Sequence, residues 1–449
     1  MKKKLCVALA LVLGLLCLPS AALAEAATSI IDAPEISAAT AVVIERTTGT
    51  VIYDKNADET RYPASMTKVM TAIVVLEHAN LADEVTVTQE DLDMITADSS
   101  NAGLAAGETL TVEDLLACLL LPSANESAYV LARHTAGSYD AFVQMMNEKA
   151  AELGCTSTHF VNPCGLHDDD HYTCASDMAK IMSAALDLPD FVRISGSATW
   201  DLPATSANPA RTIENTDLLV NDQSNYYMDG SVIAGKTGYT GDAGRCVAVG
   251  ATYDSLNLVA VVMGSESDEG SSAAIADMYE LLRWAYTSWQ TVDVVDVGDT
   301  LGLVQVRLSE EGTSVPVTST DAVLATVPSG VGLNEVTLET SWTGPLDAPI
   351  ESGAFLGTVT VSYEGRELGT VGAVTAGSLS LSTRLYILDW ISDPAHTLIV
   401  NVASFAVFVL VVLLVVCTVR RIRKRRAYLH GRPAHAAPRH TAPHSKRRR

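Results

Sequence analysis

Two residues of this chain of 449 amino acids have the types and spacing needed for nucleophilic catalysis. Ser65 and Lys68 are three positions apart, a spacing that puts two side chains on one face of a helix within hydrogen-bonding distance. Ser65 is the only serine with a lysine at that offset. A serine hydroxyl becomes a good nucleophile when a neighbouring base removes its proton, and an uncharged lysine can be that base. The pair therefore predicts acyl transfer through Ser65.

Two further groups follow at positions where they could complete such a site. Ser123 and Asn125 come directly after Pro122, on a turn between two helical segments. The run Lys236-Thr237-Gly238 lies just before a pair of predicted strands, where a strand could border a cleft. Burial and a second ammonium group from Lys236 would both lower the pKa of Lys68 and favour its neutral form. The two lysines would then titrate as a coupled pair.

Each group taken alone has a simpler structural interpretation. Ser65 could be the N-cap of an exposed helix, because serine is favoured there. Ser123 and Asn125 could form an ordinary turn after Pro122, and Lys236 could begin a strand. The order of the three groups along one chain favours the functional interpretation for all of them.

That order resembles the arrangement in the active-site serine penicillin-recognising enzymes. The flanking residues are similar to those of the low-molecular-mass penicillin-binding proteins that act as D-alanyl-D-alanine carboxypeptidases, over about residues 38–290, with a looser likeness continuing beyond them. The segments that carry this resemblance are Pro63–Lys68, Leu121–Asn125, His159–Pro163, Gly165–His167 with His171-Tyr172, and Gly235–Gly238 with Ala243-Gly244.

The resemblance implies a two-step reaction on peptidoglycan stem peptides. Ser65 would attack the D-Ala-D-Ala bond, release the last D-Ala and form an acyl-enzyme that water hydrolyses; β-lactams would acylate the same serine. The implied catalytic residues are Ser65, Lys68 and Ser123, and the implied substrate-binding residues are Asn125, Lys236, Thr237, Gly238 and Tyr239. Within this set, the backbone amides of Ser65 and Tyr239 would stabilise the oxyanion. Thr237 and Lys236 would bind the terminal carboxylate, and no cofactor is expected.

One departure from the family pattern concerns that carboxylate. Relatives often carry an arginine just after the Met-Gly that corresponds to Met263-Gly264, whereas Ser265 and Glu266 follow here. Three alternative functions stay open: a β-lactamase, a D,D-transpeptidase or endopeptidase, and a non-catalytic wall-binding protein. The last would not need intact Ser65, Lys68 and Lys236.

The pattern of apolar residues predicts the elements that position these groups. Alternating residues predict a hairpin over about 40–53 and strands at 245–252 and 256–263, while helical periodicity appears in four segments, at 67–79, within 112–133, at 139–153 and at 273–286. Strands at both ends with helices between them predict an α/β mixed catalytic domain over 27–290. The resemblance implies an antiparallel sheet with a helical subdomain. Short Val- and Thr-rich runs predict a small all-β domain, a β-sandwich, over 291–385.

Both ends of the chain predict export and membrane attachment. Residues 1–24 have a basic start, a short apolar run and a small-residue cleavage site, as in a signal peptide. Residues 398–419 are long and apolar enough for a transmembrane helix. The basic residues of 420–449 then mark a cytoplasmic tail, with the catalytic domain outside the cell. The chain has 53 acidic and 30 basic residues, and the basic residues are concentrated at these two ends. The part between the two ends is therefore strongly acidic and should repel nucleic acid.

Cysteines and histidines give weaker signals. Among the five cysteines expected outside the membrane, Cys164 and Cys174 flank a short loop and are the first candidates for a disulfide. The run His167 to His171 has ligand-type side chains, but adjacent acids in one loop rarely converge on one ion, so no metal site is predicted.

Overall fold

The computed structural model describes residues 32–96, 99–266, 272–332, 335–342 and 344–430, with side chains up to 426. The predicted signal peptide and most of the predicted tail lie outside these residues. The chain forms two compact units. The first extends to Val295 and includes Ala322–Thr337 and Val361–Gly369; the second contains Asp296–Asp321, Leu338–Thr360 and the residues from Thr370 onward.

Seventeen strands are present in the described part of the chain. They are β1 Thr40–Glu45, β2 Thr50–Lys55, β3 Glu84–Thr86, β4 Thr109–Thr111, β5 Thr199–Leu202, β6 Arg211–Glu214, β7 Val232–Thr240, β8 Gly244–Tyr253, β9 Leu256–Ser265, β10 Trp289–Val295, β11 Thr300–Arg307, β12 Ser314–Ser319, β13 Val323–Pro328, β14 Thr337–Thr340, β15 Leu346–Asp347, β16 Phe355–Tyr363 and β17 Arg366–Thr375.

The central sheet of the first unit has the order β2-β1-β9-β8-β7, and all its neighbouring strands are antiparallel. Strand β1 lies between β2 and β9, so the first hairpin joins the closing strands of the domain. This confirms the sequence prediction of a mixed domain closed by strands from both ends. Strand β7 is at the edge, and its outer side is therefore available for a peptide to lie against.

Helices of the first unit pack on both faces of this sheet. The bounds of the first unit's helices are α1 Thr67–His78, α2 Gln89–Asp93, α3 Val112–Leu120, α4 Asn125–Ala136, α5 Tyr139–Glu152, α6 Ala175–Leu186, α7 Pro189–Ser195 and α8 Ala273–Ser288. The second unit contains α9 Thr383–Ser392 and α10 Thr397–His430. One apolar core joins α1 and α3–α7 to the sheet, and a second core joins α8 to the opposite face.

The predicted helices and strands of the catalytic domain are confirmed at nearly their predicted bounds. Helices α2, α6 and α7 and the short strands β3 to β6 were not predicted. Lys236-Thr237-Gly238 precedes the strand pair β8 and β9, as predicted, and lies inside the edge strand β7.

The second unit is all-β in its folded core. Its main sheet has the order β14-β16-β17-β12-β11-β15, with one parallel pair between β11 and β15. Strands β10 and β13 pair with each other and belong to the first unit. Helix α10 contains the one segment in the described part of the chain that is long and apolar enough to cross a membrane, Thr397–Arg426.

The disulfide predicted between Cys164 and Cys174 is wrong in this structure, where both are buried free thiols. The Cys164 sulfur lies 3.9 Å from the Tyr129 hydroxyl and 3.4 Å from Asn162 Oδ1. The Cys174 sulfur instead caps helix α6, because it accepts a hydrogen bond from the Asp177 amide at 3.4 Å. Each sulfur therefore has polar contacts that do not involve the other cysteine.

Candidate active site

Ser65 lies on a single 3₁₀ turn, Ala64–Met66, that continues directly into helix α1. The N-cap position of α1 is Met66, and no side chain caps the helix. Ser65 therefore does not cap helix α1, and the interpretation of Ser65 as an N-cap serine is wrong. Ala64 has φ +48°, a conformation that is costly for a residue with a side chain. The turn thus presents the Ser65 hydroxyl from a constrained backbone.

The Lys68 ammonium is fully buried among three oxygen acceptors. Its Nζ is 2.8 Å from Ser65 Oγ, 2.7 Å from Asn125 Oδ1 and 2.7 Å from the Cys164 carbonyl oxygen. The sequence prediction that Ser65 and Lys68 are in contact is confirmed. Asn125 also joins this contact.

Burial lowers the pKa of Lys68 from 10.5 to about 8, although nearby Cys164 and Glu126 act in the opposite direction. The neutral form then has two N–H bonds and one lone pair. The Asn125 and Cys164 oxygens can only accept hydrogen bonds, so they take the two N–H bonds. The lone pair is left for the Ser65 hydroxyl proton, which is the orientation that a general base requires.

Ser123 and Asn125 lie at the junction between helices α3 and α4, as predicted. Ser123 has φ +67°, and its buried hydroxyl oxygen has no hydrogen-bond partner among the described residues. Asn125 begins helix α4, and its backbone amide donates a hydrogen bond to the Ser100 carbonyl at 2.9 Å. A buried, unpaired hydroxyl is costly unless a ligand or water supplies its partner. Ser123 is therefore available to a bound substrate.

Strand β7 runs against the turn that carries Ser65. A Cβ atom added at Gly238 would lie 3.0 Å from the Pro63 carbonyl oxygen and 3.1 Å from the Ser65 amide nitrogen. The contact between Gly238 and this turn was not predicted from the sequence. The absence of a side chain there lets the strand approach the turn closely.

Lys236 is the second buried lysine of the site, with Nζ 3.0 Å from the Thr237 carbonyl oxygen. Burial and the charge of Lys68 hold its pKa well below 10.5, and Asp217 acts in the opposite direction. Burial also raises the pKa of Asp217 to about 6. The sequence predicted that Lys236 would lower the pKa of Lys68, whereas in the structure the charge of Lys68 lowers the pKa of Lys236.

The outer edge of β7 carries the remaining predicted residues. The Thr237 hydroxyl lies 2.7 Å from the Thr216 hydroxyl, which also contacts the Leu121 carbonyl at 3.2 Å. Tyr239 is exposed, and the guanidinium carbon of Arg245 lies 4.4 Å from its ring centroid. Thr216 and Arg245 were not identified from the sequence.

A hydrogen-bonded chain behind the nucleophile was also missed. The Val161 amide donates to His171 Nδ1 at 3.2 Å, so the proton of the neutral ring is on Nε2, which lies 2.8 Å from the Thr67 hydroxyl. Thr67 in turn donates to the Ala64 carbonyl at 2.8 Å. Burial keeps His171 neutral by lowering its pKa to about 4. This chain supports the constrained turn before Ser65.

His171 thus has a structural role in a segment that was considered for metal binding. Within the described residues, no group of three or more histidine, cysteine or acidic side chains is arranged to hold a metal ion.

Known protein families match both the catalytic domain and the β domain of this chain. Residues 27–267 match the family model described as D-alanyl-D-alanine carboxypeptidase, and residues 289–380 match that of the penicillin-binding protein 5 C-terminal domain. The chain is 30% identical over 338 residues to the D-alanyl-D-alanine carboxypeptidase DacF of Bacillus subtilis, covering 74% of this chain and 83% of the relative.

Solved structures extend this similarity. Penicillin-binding protein 5 from Haemophilus influenzae has a TM-score of 0.62 at 25% identity, covering 78% of this chain and 99% of that one. The Streptomyces K15 DD-transpeptidase has a TM-score of 0.52 at 29% identity, covering 57% and 99%. The fold is therefore that of the penicillin-binding proteins, with an α/β catalytic domain followed by an all-β domain. The chain belongs to the D-alanyl-D-alanine carboxypeptidase family.

Proposed function

We propose that this protein removes the terminal D-Ala from peptidoglycan stem peptides, with Ser65 as the acylated nucleophile and Lys68 as its base. The observation that carries the proposal is the Lys68 amine, which is buried 2.8 Å from Ser65 Oγ with its two other contacts made to carbonyl oxygens. No other arrangement of its protons satisfies both carbonyls and leaves a lone pair for the serine.

In the first step Ser65 Oγ attacks the carbonyl carbon of the D-Ala-D-Ala bond while Lys68 takes the hydroxyl proton. The tetrahedral oxyanion is held by the backbone amides of Ser65 and Tyr239. When the peptide bond breaks, Ser123 relays the proton from Lys68 to the leaving amine, so that free D-Ala departs and Lys68 is neutral again. Lys68 then takes a proton from a water molecule as that water attacks the ester carbonyl, and it returns the proton to Ser65 Oγ as the ester bond breaks.

Substrate binding is assigned to the edge of strand β7 and to the turn before helix α4. Asn125 holds a carbonyl of the stem peptide, while Lys236 and Thr237 face the terminal carboxylate. Gly238 keeps the strand close to the nucleophile. β-Lactams acylate Ser65 because their strained amide occupies the position of the peptide bond.

The protein is proposed to act at the outer face of the cell membrane. Helix α10 is a candidate anchor, and the basic residues after 419 favour a cytoplasmic tail. The signal-like residues 1–24 would export the preceding domains. Residues 291–385 would then separate the catalytic domain from the membrane.

The direct test measures the D-Ala that the purified protein, with both predicted extracellular domains intact, releases from diacetyl-L-Lys-D-Ala-D-Ala. We expect D-Ala in a one-to-one ratio with the shortened peptide. Product analysis with an added amine acceptor would reveal transpeptidation, and a cross-linked muropeptide would reveal endopeptidase activity. Hydrolysis of benzylpenicillin faster than of the peptide would instead identify a β-lactamase and contradict the proposal.

Acylation should depend on pH through the neutral fraction of the buried amine. Because the pKa of Lys68 is about 8, acylation by benzylpenicillin should rise about tenfold per pH unit below 8 and level off above it. The observed midpoint belongs to both lysines, since they are coupled. Stopped-flow acylation rates between pH 6 and pH 9.5 measure this. A flat profile, or a midpoint near the ordinary lysine value of 10.5, would contradict a neutral-lysine base.

A further inference from the structure

The direction of the Lys68 lone pair depends on the two groups that accept its N–H bonds. These acceptors are Asn125 Oδ1 and the Cys164 carbonyl oxygen, each 2.7 Å from Nζ. Asn125 is fixed as the first residue of helix α4. Cys164 lies between helices α5 and α6, in the stretch of residues 161–170 that forms no helix or strand. The position of its carbonyl therefore depends on contacts outside regular secondary structure.

The half-buried side chain of Asn162 makes such contacts. Its Oδ1 accepts hydrogen bonds from the Gly165 amide at 2.7 Å and from the Cys164 amide at 3.2 Å. Its Nδ2 donates to the Leu166 carbonyl at 2.9 Å. An asparagine that binds the backbone amides following it closes a turn. Asn162 therefore fixes the backbone of residues 162–166.

One of these contacts bears directly on the base. The Gly165 N–H and the Cys164 carbonyl belong to the same trans peptide group. Because that group is planar, its N–H and its carbonyl point in opposite directions. The N–H is bound by Asn162 on one side, and the carbonyl accepts from Lys68 on the other. The hydrogen bond to Asn162 therefore sets the direction in which the carbonyl points.

The same turn has further contacts that do not involve the Asn162 side chain. The Pro163 carbonyl accepts a hydrogen bond at 2.6 Å from the hydroxyl of Thr71, one helical turn after Lys68 on α1. A Cβ atom added at Gly165 would lie 1.9 Å from the Ala64 carbonyl oxygen, so the turn packs tightly against the turn that carries the nucleophile. The turn should therefore stay on α1 when Asn162 is replaced, and the Cys164 carbonyl alone loses its restraint.

We propose that Asn162 is a positioning residue that directs the lone pair of Lys68 at Ser65. It acts by holding the peptide group whose carbonyl takes one of the two lysine N–H bonds. The inference rests on the proposed function and adds to it a residue that orients the base. The hydrogen bonds of the Asn162 side chain all go to residues 164–166, so it acts through Lys68 and not through contact with the substrate.

The test compares Asn162→Ala with the wild type in stopped-flow acylation by benzylpenicillin between pH 6 and pH 9.5. We expect the plateau rate at high pH to fall about tenfold, as for the loss of one hydrogen bond. The KM for diacetyl-L-Lys-D-Ala-D-Ala should stay within about twofold, since no substrate contact is removed.

The midpoint of the pH profile should move down by about one pH unit. An accepting carbonyl favours the charged form of the lysine, so the pKa falls when that carbonyl turns away. The titratable groups that act on or with Lys68 are unchanged in the variant: Glu126, Cys164, His171 and Lys236. A general loss of stability would not move this midpoint.

Two further variants make the result specific. Asn162→Asp keeps an oxygen that accepts from the Gly165 amide, so its plateau rate should stay within about threefold of the wild type. Asn147→Ala is the matched control, because half-buried Asn147 on helix α5 also makes three hydrogen bonds to the backbone. Two join it to Phe160 at 2.8 and 2.9 Å and one to Val143 at 3.1 Å. This control should leave both plateau and midpoint unchanged.

Three outcomes would overturn the inference. They are an unchanged plateau in Asn162→Ala, a lowered plateau with an unmoved midpoint in the folded variant, and a loss of about tenfold or more in Asn162→Asp. The last of these decides the question even if circular dichroism shows that Asn162→Ala is unfolded. In all three cases the wild type still releases D-Ala, so the proposed function stands. A wild-type protein that neither releases D-Ala nor reacts with benzylpenicillin overturns both.

Discussion

A Ser65→Ala variant should form no covalent adduct with a fluorescent penicillin, whereas the wild-type protein should form one adduct per chain. The reason is chemical: without the hydroxyl there is no atom to form the ester, and D-Ala release should fall below detection. Ser65 Oγ contacts the Lys68 amine at 2.8 Å, so the change removes one contact of a buried amine that keeps two others. The fold should persist. Gel fluorescence and mass mapping of the labelled peptide measure the result.

The control is Ser99→Ala, because the Ser99 hydroxyl donates to the Thr96 carbonyl at 2.7 Å and has no lysine three residues later. That variant should be labelled at the wild-type rate. An adduct that persists in Ser65→Ala, or one that maps to another serine of the wild-type protein, would show that the nucleophile has been assigned wrongly.

Local signals in the sequence were sufficient to predict contacts that helix geometry determines. Ser65 and Lys68 lie on consecutive helical turns, so a spacing of three residues is enough to bring them together. Pro122 predicts the interruption that puts Ser123 on a turn. The strands at 244–265 were visible because their alternating Val and Ala residues are buried in the central sheet.

The remaining site contacts depend on tertiary structure that carries little local signal. The carbonyl of Cys164 accepts from Lys68, and a backbone oxygen has no residue type by which a sequence could reveal it. His171 lies in a run of ligand-type side chains, but its hydrogen-bond partner Thr67 is 104 positions away. The contact between Arg245 and Tyr239 depends on the register between strands β7 and β8. A register is set by pairing over the whole sheet, so one strand read alone cannot supply it.

Replacing Lys68 by methionine should slow both D-Ala release and penicillin acylation by about 10²- to 10⁴-fold, the range typical for removal of a general base. Methionine has a similar length and no charge, so the variant removes the burial cost of an ammonium group and should not unfold the domain. The Asn125 and Cys164 oxygens lose a donor, which offsets part of that gain. Thermal unfolding followed by circular dichroism should therefore give a midpoint close to that of the wild type.

The pH profile of this variant distinguishes a lost base from a misplaced serine. With Lys68 absent, hydroxide is the remaining base, so residual acylation should keep rising above pH 8 instead of levelling off there as in the wild type. Lys180→Met serves as the control, since Lys180 lies on helix α6 and pairs with Asp177 at 2.8 Å, outside the site. A folded Lys68→Met protein that acylates at the wild-type rate would rule out the lysine as the base. The proton of Ser65 would then have to leave by another route, with Ser123 the first group to test because its buried hydroxyl lacks a partner among the described residues.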